Sequence, residues 1–221
     1  MPRKIIGGAF LSLDGVMQAP GGPSEDPTGG FDHGGWLTTL FDEGMGNQVD
    51  TLFSGSYDLL LGRRTYDIFA AHWPFMPQDD PIAASFARIG KYVLTRSDEP
   101  LTWTGSHRLE SIEGLKALKQ EDGPNLVIQG SSTLYPQLLQ HGLLDRLVTM
   151  TAPVILGTGK RLFGEGTPAA AFKLVEHRTT SNGIAMATYE PVGSVETGSF
   201  AMIDPSPAEQ ARQEKIAQGS W

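Results

Sequence analysis

The chain has 221 residues, 17 of them basic and 25 acidic, for a net charge of −8. That acidity argues against a nucleic-acid partner, whose binder needs clustered Lys and Arg to replace phosphate counterions. Apolar residues at 39% and charged ones at 19% suffice for one sizeable core or two small ones, which excludes global disorder. The lack of any cysteine removes disulfides, zinc–thiolate and Fe–S sites and a thiol nucleophile. No apolar run reaches the ~18 residues of a membrane span, and residues 1–4 lead into a strand-like segment, not a secretory h-region. A cytoplasmic protein without a membrane partner is expected.

In chain order, residues 5–13 read as a buried first strand stopped by the Asp14-Gly15 turn. Residues 20–35 hold six Gly and three Pro, a loop that could serve as a lid over a pocket. Apolar residues at 41, 45, 49, 52 and 53 predict a helix over 41–53, with Gly55 as its stop. Residues 58–62 form a short apolar run typical of a central strand, and 63–71 read as a helix. A strand over 91–95 precedes a helix marked by Ile112, Leu115 and Leu118, with Ser111 as N-cap and Gly123 beyond its end. Residues 125–129 are a further strand. Gly130-Ser131-Ser132 then turns into a helix carrying Leu134, Leu138 and Leu139, with Pro136 in or near the first turn and Gly142 at the end.

A long strand over 146–156 is interrupted at Pro153, and segments 172–180 and 184–190 flank Ser181-Asn182-Gly183, a hairpin signal. Strand–helix alternation up to about residue 157 implies parallel pairing, and the hairpin adds antiparallel strands, so the expected class is α/β with a mixed, mainly parallel sheet. Residues 1–192 form the expected domain. Residues 193–221 read as a linker and a polar helix opened by the capping box Ser206-Pro207-Ala208-Glu209, a surface appendage or dimer contact.

Three inferred strands end in turns with small or cationic residues: Gly62-Arg63-Arg64-Thr65, Thr95-Arg96-Ser97 and Gly130-Ser131-Ser132-Thr133. Ligands of open α/β sheets sit beyond the carboxyl ends of the strands, so the three turns should converge on one crevice. Glycine admits close backbone approach, helix-start amides point outward, and the macrodipole favours an anion, so phosphate is the natural guest. Arg63, Arg64 and Arg96 extend that preference to a dianion. Any one turn alone is equally an ordinary helix cap.

Other signatures are absent. Gly157-Thr158-Gly159-Lys160-Arg161 lacks the G-x-x-x-x-G-K-[ST] spacing and reads as a turn; no G-x-G-x-x-G follows the first strand, and no G-x-S-x-G elbow exists. The five His are scattered without metal-ligand spacing, so no metal is expected. Asp14 is either a carboxylate orienting a substrate or a plain Asp-Gly turn residue. Trp36, Tyr66, Phe69 and Trp73 either stack a planar ring or pack the core. Asp42, Glu43 and Asp50 read as a solvated helix face.

Ser12-Leu13-Asp14-Gly15, Leu61 to Tyr66, Lys91 to Ser97, and the run from Val127 to Leu134 through Leu143 to Leu147 and Pro153 to Gly157 occur in an order that resembles a known family. The chain is similar, over residues 4–190, to the dihydrofolate-reductase-like superfamily, in the branch of the C-terminal reductase domain of riboflavin-biosynthesis enzymes and stand-alone bacterial dihydrofolate reductase family proteins. The resemblance implies a three-layer dihydrofolate-reductase-like fold and NADPH as cofactor. It implies that Gly62, Arg63, Arg64 and Thr65 hold cofactor phosphates, with Arg63 or Arg64 at the 2′-phosphate. Thr95, Arg96 and Ser97 would line the adenosine side, and Gly130, Ser131, Ser132, Thr133 and Leu134 would grip the pyrophosphate. Ala9 and Gly15 would lie beside the nicotinamide, with Asp14, Phe69 and Tyr135 toward the substrate; Trp36 and Tyr66, as aromatics able to stack a ring, are further candidates for substrate binding.

The chain departs from dihydrofolate reductases in having Gly130-Ser131 where they carry Gly-Gly, and from many riboflavin-type reductases in having Gln129 where they have Glu. The implied activity is NADPH-dependent reduction of a C=N or C=O bond in a small pterin- or aminopyrimidine-like heterocycle, with Asp14 or water supplying the proton. The alternative is a non-catalytic NADPH or nucleotide sensor. A homodimer is the family-based expectation.

Overall fold

The computed structural model describes residues 2–77, 79–200 and 203–220. Among these, eight strands form one mixed sheet in the order β4-β3-β2-β5-β1-β6-β8-β7. Its parallel part consists of β1 (Ile5–Leu11), β2 (Tyr57–Gly62), β3 (Lys91–Leu94), β4 (Ser106–Leu109), β5 (Asn125–Gln129) and β6 (Arg146–Thr151). The hairpin of β7 (Ala171–Thr179) and β8 (Ala185–Gly193) joins it antiparallel through β6.

Helices cover both faces because successive side chains of a strand point opposite ways. Leu60, Leu126 and Ile128 belong to a cluster with Leu115 and Leu118 of α4 (Ile112–Gln120) and Leu138 of α5 (Leu134–Gln140). Leu59, Leu61 and Val127 pack the other way, against Leu52 of α1 (Glu43–Leu52), Tyr66 of α2 (Arg63–Ala70) and Phe86 of α3 (Pro81–Arg88). The result is three layers, as expected. Leu59, Leu60 and Leu61 are all fully buried, which is why β2 reads as an unbroken apolar run instead of an alternating one.

β1 runs through the middle of the sheet and is built to be crowded. A Cβ on Gly7 would come within 2.6 Å of Cε1 of Tyr135, and one on Gly8 within 2.3 Å of Cδ2 of Leu52. The two glycines let a helix close down on each face of the strand at the same height.

Several boundaries differ from the sequence reading. β6 stops at Thr151, short of residue 156, since Pro153 has no N–H for the ladder and the Val154 amide turns back to Ala152 O at 2.8 Å. β4 and α3 carried too weak a signal: β4 is a four-residue polar edge, and α3 is a short helix capped by Asp80, whose carboxylate accepts from the Ala83 amide at 2.8 Å. Asp42 is the N-cap of α1, and its carboxylate also accepts from Ser181 Oγ and the Asn182 amide, tying the hairpin turn to that helix. After β8 the chain leads to α6 (Pro207–Ala217), capped by Ser206 and with no buried residue. No helix among the described residues is long and apolar enough to cross a membrane.

Gly7→Ala should destabilise the fold by about 1–3 kcal/mol, the usual effect of forcing volume into a packed core. Urea unfolding of the variant reads this directly, and an unchanged midpoint would show that the Tyr135 ring yields freely.

Candidate functional site

The turns after β2 and β5 come from distant parts of the chain and are stitched to each other. The Gly62 amide donates to Ser131 Oγ at 2.9 Å, and the Ser131 amide donates to Thr65 Oγ1 at 3.0 Å. To reach this position the chain passes through two left-handed residues in succession, Gly130 (φ 75°) and Ser131 (φ 55°). For glycine that costs little; for serine it is strain. Among the described residues only one other non-glycine has a positive φ, Ala19 at 47°. Ala19 and Ser131 line the same cavity.

That cavity, of about 320 Å³, opens at the carboxyl ends of β1, β2 and β5. Its floor and walls combine Gly62, Arg63, Arg64 and Thr65 from the β2–α2 turn with Gly130, Ser131, Ser132 and Thr133 from the β5–α5 turn. A second, wider cavity of about 850 Å³ adjoins it and shares Gly62, Arg63, Arg64 and Thr133. Thr95, Arg96 and Leu134 line the second cavity, with Glu110 and Glu113 also on its walls. The three turns therefore converge on one cleft, at the place where open α/β sheets bind ligands.

The helix starts at this cleft differ from the others. α1, α3, α4 and α6 each have a side-chain oxygen bound to a first-turn amide, whereas α2 and α5 have none. An N-terminus without a side-chain cap keeps its outward amides and its partial positive charge for a ligand, although the first amide of α5, that of Leu134, already donates to Ser131 O at 2.9 Å. The arginines there are not equivalent. Arg63 is engaged by Asp67, with Nε to the two carboxylate oxygens at 2.8 and 3.0 Å, and by Glu99 O at 2.8 Å. Arg64 and Arg96 are exposed, and neither has a hydrogen bond or ion pair from its side chain among the described residues.

Several residues expected in the site lie elsewhere. Tyr66 is 1% exposed; its hydroxyl accepts from the Trp103 amide at 2.8 Å, so the ring belongs to the core between α2 and the sheet. Tyr135 is fully buried over Gly7, and burial pushes its phenol far above the ordinary tyrosine range. Trp36 braces a loop: its Nε1 donates to Gln18 O at 2.8 Å while the ring packs between two apolar clusters. Ala9 is buried beneath α5, and the neighbouring Phe10 faces the cavity in its place. Gly15 and Ser97 line neither cavity; Gly15 supplies a positive φ to the 12–16 turn, and Ser97 Oγ accepts from the Glu99 amide. Gly62 lines the cleft, but its amide is already satisfied by Ser131 and is not open to a phosphate. Phe69 does line the first cavity, its ring stacked on Phe86.

Asp14 is a structural clamp. Its carboxylate accepts from Ser12 Oγ at 2.6 Å and from the Leu156 and Gly157 amides at 3.1 and 2.9 Å, with Arg161 at 3.3 Å. The Ser12 hydrogen bond and the Leu156 amide are the chief reasons its pKa falls well below the usual carboxylate range. A carboxylate so held is ionised at neutral pH and carries no proton to donate, so its role here is to hold the turn.

Residues the sequence reading did not assign form the far wall: Met17, Gln18, Glu25, Asp26 and Lys160. The loop over 20–35 is anchored, not a free flap. Phe31 is buried with Val16 and Ala19, the Gly35 amide returns to Ala19 O at 2.8 Å, and Gln18 Nε2 donates to the Asp26 and Thr28 carbonyls at 2.8 and 2.9 Å. Lys160 reaches across to pair with Asp26 and donates to Thr28 Oγ1 at 2.6 Å. Burial opposes the Asp26 charge, but the hydrogen bonds from Lys160 and Thr28 outweigh it and lower its pKa. The turn Gly157 to Arg161 is thus a clasp for the loop.

Comparison with known proteins follows this geometry. The model of the RibD C-terminal domain matches residues 3–186. The Bacillus subtilis protein YyaP, itself uncharacterized, is 26% identical over 196 residues, spanning 85% of this chain and 94% of its own length. Among solved structures, a protein of Shewanella sp. PV-4 assigned to riboflavin biosynthesis superposes with a TM-score of 0.61 at 20% identity, covering 87% of this chain and 99% of that one. Dihydrofolate reductase from Enterococcus faecalis, complexed with NADP(H) and RAB-propyl, gives 0.54 at 16% identity, covering 85% and 96%. At these identities the structural likeness concerns the fold.

Ser131 separates two effects that substitution can resolve. Ser131→Ala should cost more stability than Ser131→Gly, by about 1 kcal/mol, since both lose the acceptor for the Gly62 amide but only glycine relaxes the positive φ. Equal unfolding midpoints for the two variants would show that the backbone there carries no strain.

Proposed function

The chain belongs to the RibD C-terminal domain family, a family of reductases, and from that membership we propose that it is an NADPH-dependent reductase of a C=N or C=O bond in a small heterocycle. The observation that carries the reading is the paired, uncapped helix starts of α2 and α5 facing one cleft, beside the uncommitted Arg64. The two adjoining cavities fall within the ligand-pocket range of roughly 300–1,000 Å³, and their elongated arrangement suits a dinucleotide.

The residues present fit that group. First-turn amides of α2 would take a phosphate, and the missing Cβ at the left-handed Gly130 makes room for Thr65, whose Oγ1 holds the Ser131 amide and so sets the turn against α2. Arg64 and Arg96 would supply the forked, charge-assisted contacts that a 2′-phosphate requires, while Arg63 stays with Asp67 and Glu99. Thr95 and Leu134 would border the adenosine side. When bound, the nicotinamide supplies a hydride. The protein's part is positioning and electrostatics: Phe10, Met17 and Phe69 provide apolar walls, and the anchored loop keeps water from the reacting carbon.

Titrating NADPH and NADH while following tryptophan emission tests cofactor binding, and loss of reduced-nicotinamide absorbance with a panel of pterins and aminopyrimidines tests turnover. Tight binding without oxidation by any of them would favour the sensing module. Arg64→Ala should weaken NADPH by about 10- to 100-fold, the worth of a charge-assisted contact, and leave NADH nearly unchanged. Equal losses for both would overturn the 2′-phosphate assignment.

A further inference from the structure

We propose that Asn182 is a site of spontaneous deamidation, and that the clamp around Asp42 governs how fast the reaction runs and is undone by its product. The inference concerns the β7–β8 turn and does not depend on the reductase reading.

Asparagine followed by glycine is the arrangement most open to this chemistry, because the absent Cβ lets the next backbone nitrogen reach the side-chain carbonyl. The chain has three asparagines, and only Asn182 precedes a glycine. Asn47 lies inside α1, and Asn125 opens β5, where its Oδ1 accepts from the Lys4 amide at 3.1 Å. Asn182 sits in the exposed turn 181–183, with Gly183 at φ 81°. In the reaction the Gly183 nitrogen loses its proton to solvent base and bonds to Cγ of Asn182, the Cγ–Nδ2 bond breaks, and ammonia leaves. Water then opens the cyclic imide at either carbonyl, giving aspartate or, with the main chain routed through the β-carbon, isoaspartate.

The turn is braced against that path. The Gly183 amide donates to Thr180 O at 3.1 Å, so the nucleophile is occupied. Asn182 is held twice: its backbone amide donates to Asp42 Oδ2 at 3.1 Å and its Nδ2 to Leu40 O at 3.2 Å. Asp42 Oδ2 also accepts from Ser181 Oγ at 2.8 Å, while Oδ1 caps α1 at the Met45 amide. Burial opposes the Asp42 charge, but Ser181, the Met45 and Asn182 amides and Thr180 outweigh it and pull the pKa down to about 2. The clamp is therefore ionised throughout the neutral and alkaline range in which the amide is attacked. A Cβ on Gly44 would meet Thr180 Cγ2 at 3.2 Å, so the first turn of α1 lies directly against the hairpin. Reaction has to pass through a local opening of this turn, and each hydrogen bond of the clamp lowers the open fraction.

The product does not restore the clamp. Exchange of Nδ2 for oxygen removes the donor to Leu40 O, turns a carboxylate toward that carbonyl, and adds a negative charge beside Asp42. Isoaspartate also lengthens the main chain between the two donors that the turn presents. Asp14-Gly15, a related dipeptide, is protected differently: its carboxylate is ionised, a poor electrophile, and tied to Ser12 and to the Leu156 and Gly157 amides.

Peptide mapping by mass spectrometry after incubation in mildly alkaline buffer follows the amide-to-acid conversion, and labelling by an isoaspartyl methyltransferase follows isoaspartate. Wild type should convert at Asn182 and at neither Asn47 nor Asn125. Ser181→Ala removes one clamp hydrogen bond, leaves the α1 cap, and should convert about 2- to 10-fold faster. Gly7→Ala, which loosens the core away from the turn, should convert at the wild-type rate. Asn182→Asp should lower the urea midpoint. Wild type unfolded in urea should convert faster than folded wild type, which keeps the test decisive should a variant not fold. No conversion at Asn182 in folded wild type overturns the site. Equal rates for wild type and Ser181→Ala, equal rates folded and unfolded, or an equal acceleration by Gly7→Ala overturns the control by the clamp, and an unchanged midpoint for Asn182→Asp overturns its loss in the product.

Discussion

The cleft exists because one serine side chain and its own amide hold two turns together. Gly62 and Thr65 start α2, Ser131 precedes α5, and the reciprocal hydrogen bonds between them fix how far apart two helix N-termini can stand. Neither helix spends a side chain on capping its own first turn, and the Leu134 amide of α5 is met by the Ser131 carbonyl instead. The left-handed serine is the cost of that geometry. Strain of this kind persists only where surrounding contacts enforce it, and here they are a hydrogen bond on each side of the same residue.

Opposite this rim the wall is made by long-range polar contacts instead of secondary structure. Gln18, Asp26, Thr28 and Lys160 form a network that binds the loop to the 157–161 turn, and Asp14 with Arg161 repeats the device one turn earlier. Charge is therefore interleaved around the cleft: Arg64 and Arg96 share the second cavity with Glu110 and Glu113, and on the far wall of the first Asp26 is paired with Lys160.

Seven of the eight strands among the described residues, and the turns that line the cleft, were legible because their signals are local, whereas the polar edge strand β4 was not. Leu59 to Leu61 announces a strand buried on both faces, and Gly-Arg-Arg-Thr or Gly-Ser-Ser-Thr directly after such a run announces a strand-to-helix turn. What depends on side-chain direction was not legible. Tyr66 and Tyr135 sit within a few residues of the cleft, yet each points into a helix–sheet interface; for Tyr135 the deciding fact is the space left by Gly7, a strand away. The wall of Glu25, Asp26 and Lys160 was hidden for a related reason. The Asp26–Lys160 pair spans 134 positions, and nothing in either local segment names the other. Asp14 stood between two readings, and the amides of Leu156 and Gly157 decide for the turn.

The strand order carries a consequence for how the molecule comes into being. β1 precedes the other strands of the sheet in sequence, but its two neighbours are β5 and β6, whose paired residues begin at Leu126 and Arg146. During synthesis β1 therefore stays unpaired until the chain has been made through β5 and β6, and its ladder consists of contacts far apart in sequence, which slow assembly. Gly7 and Gly8 at its centre lower its strand propensity, so it is pairing on both sides, by β5 and β6, that holds the segment extended.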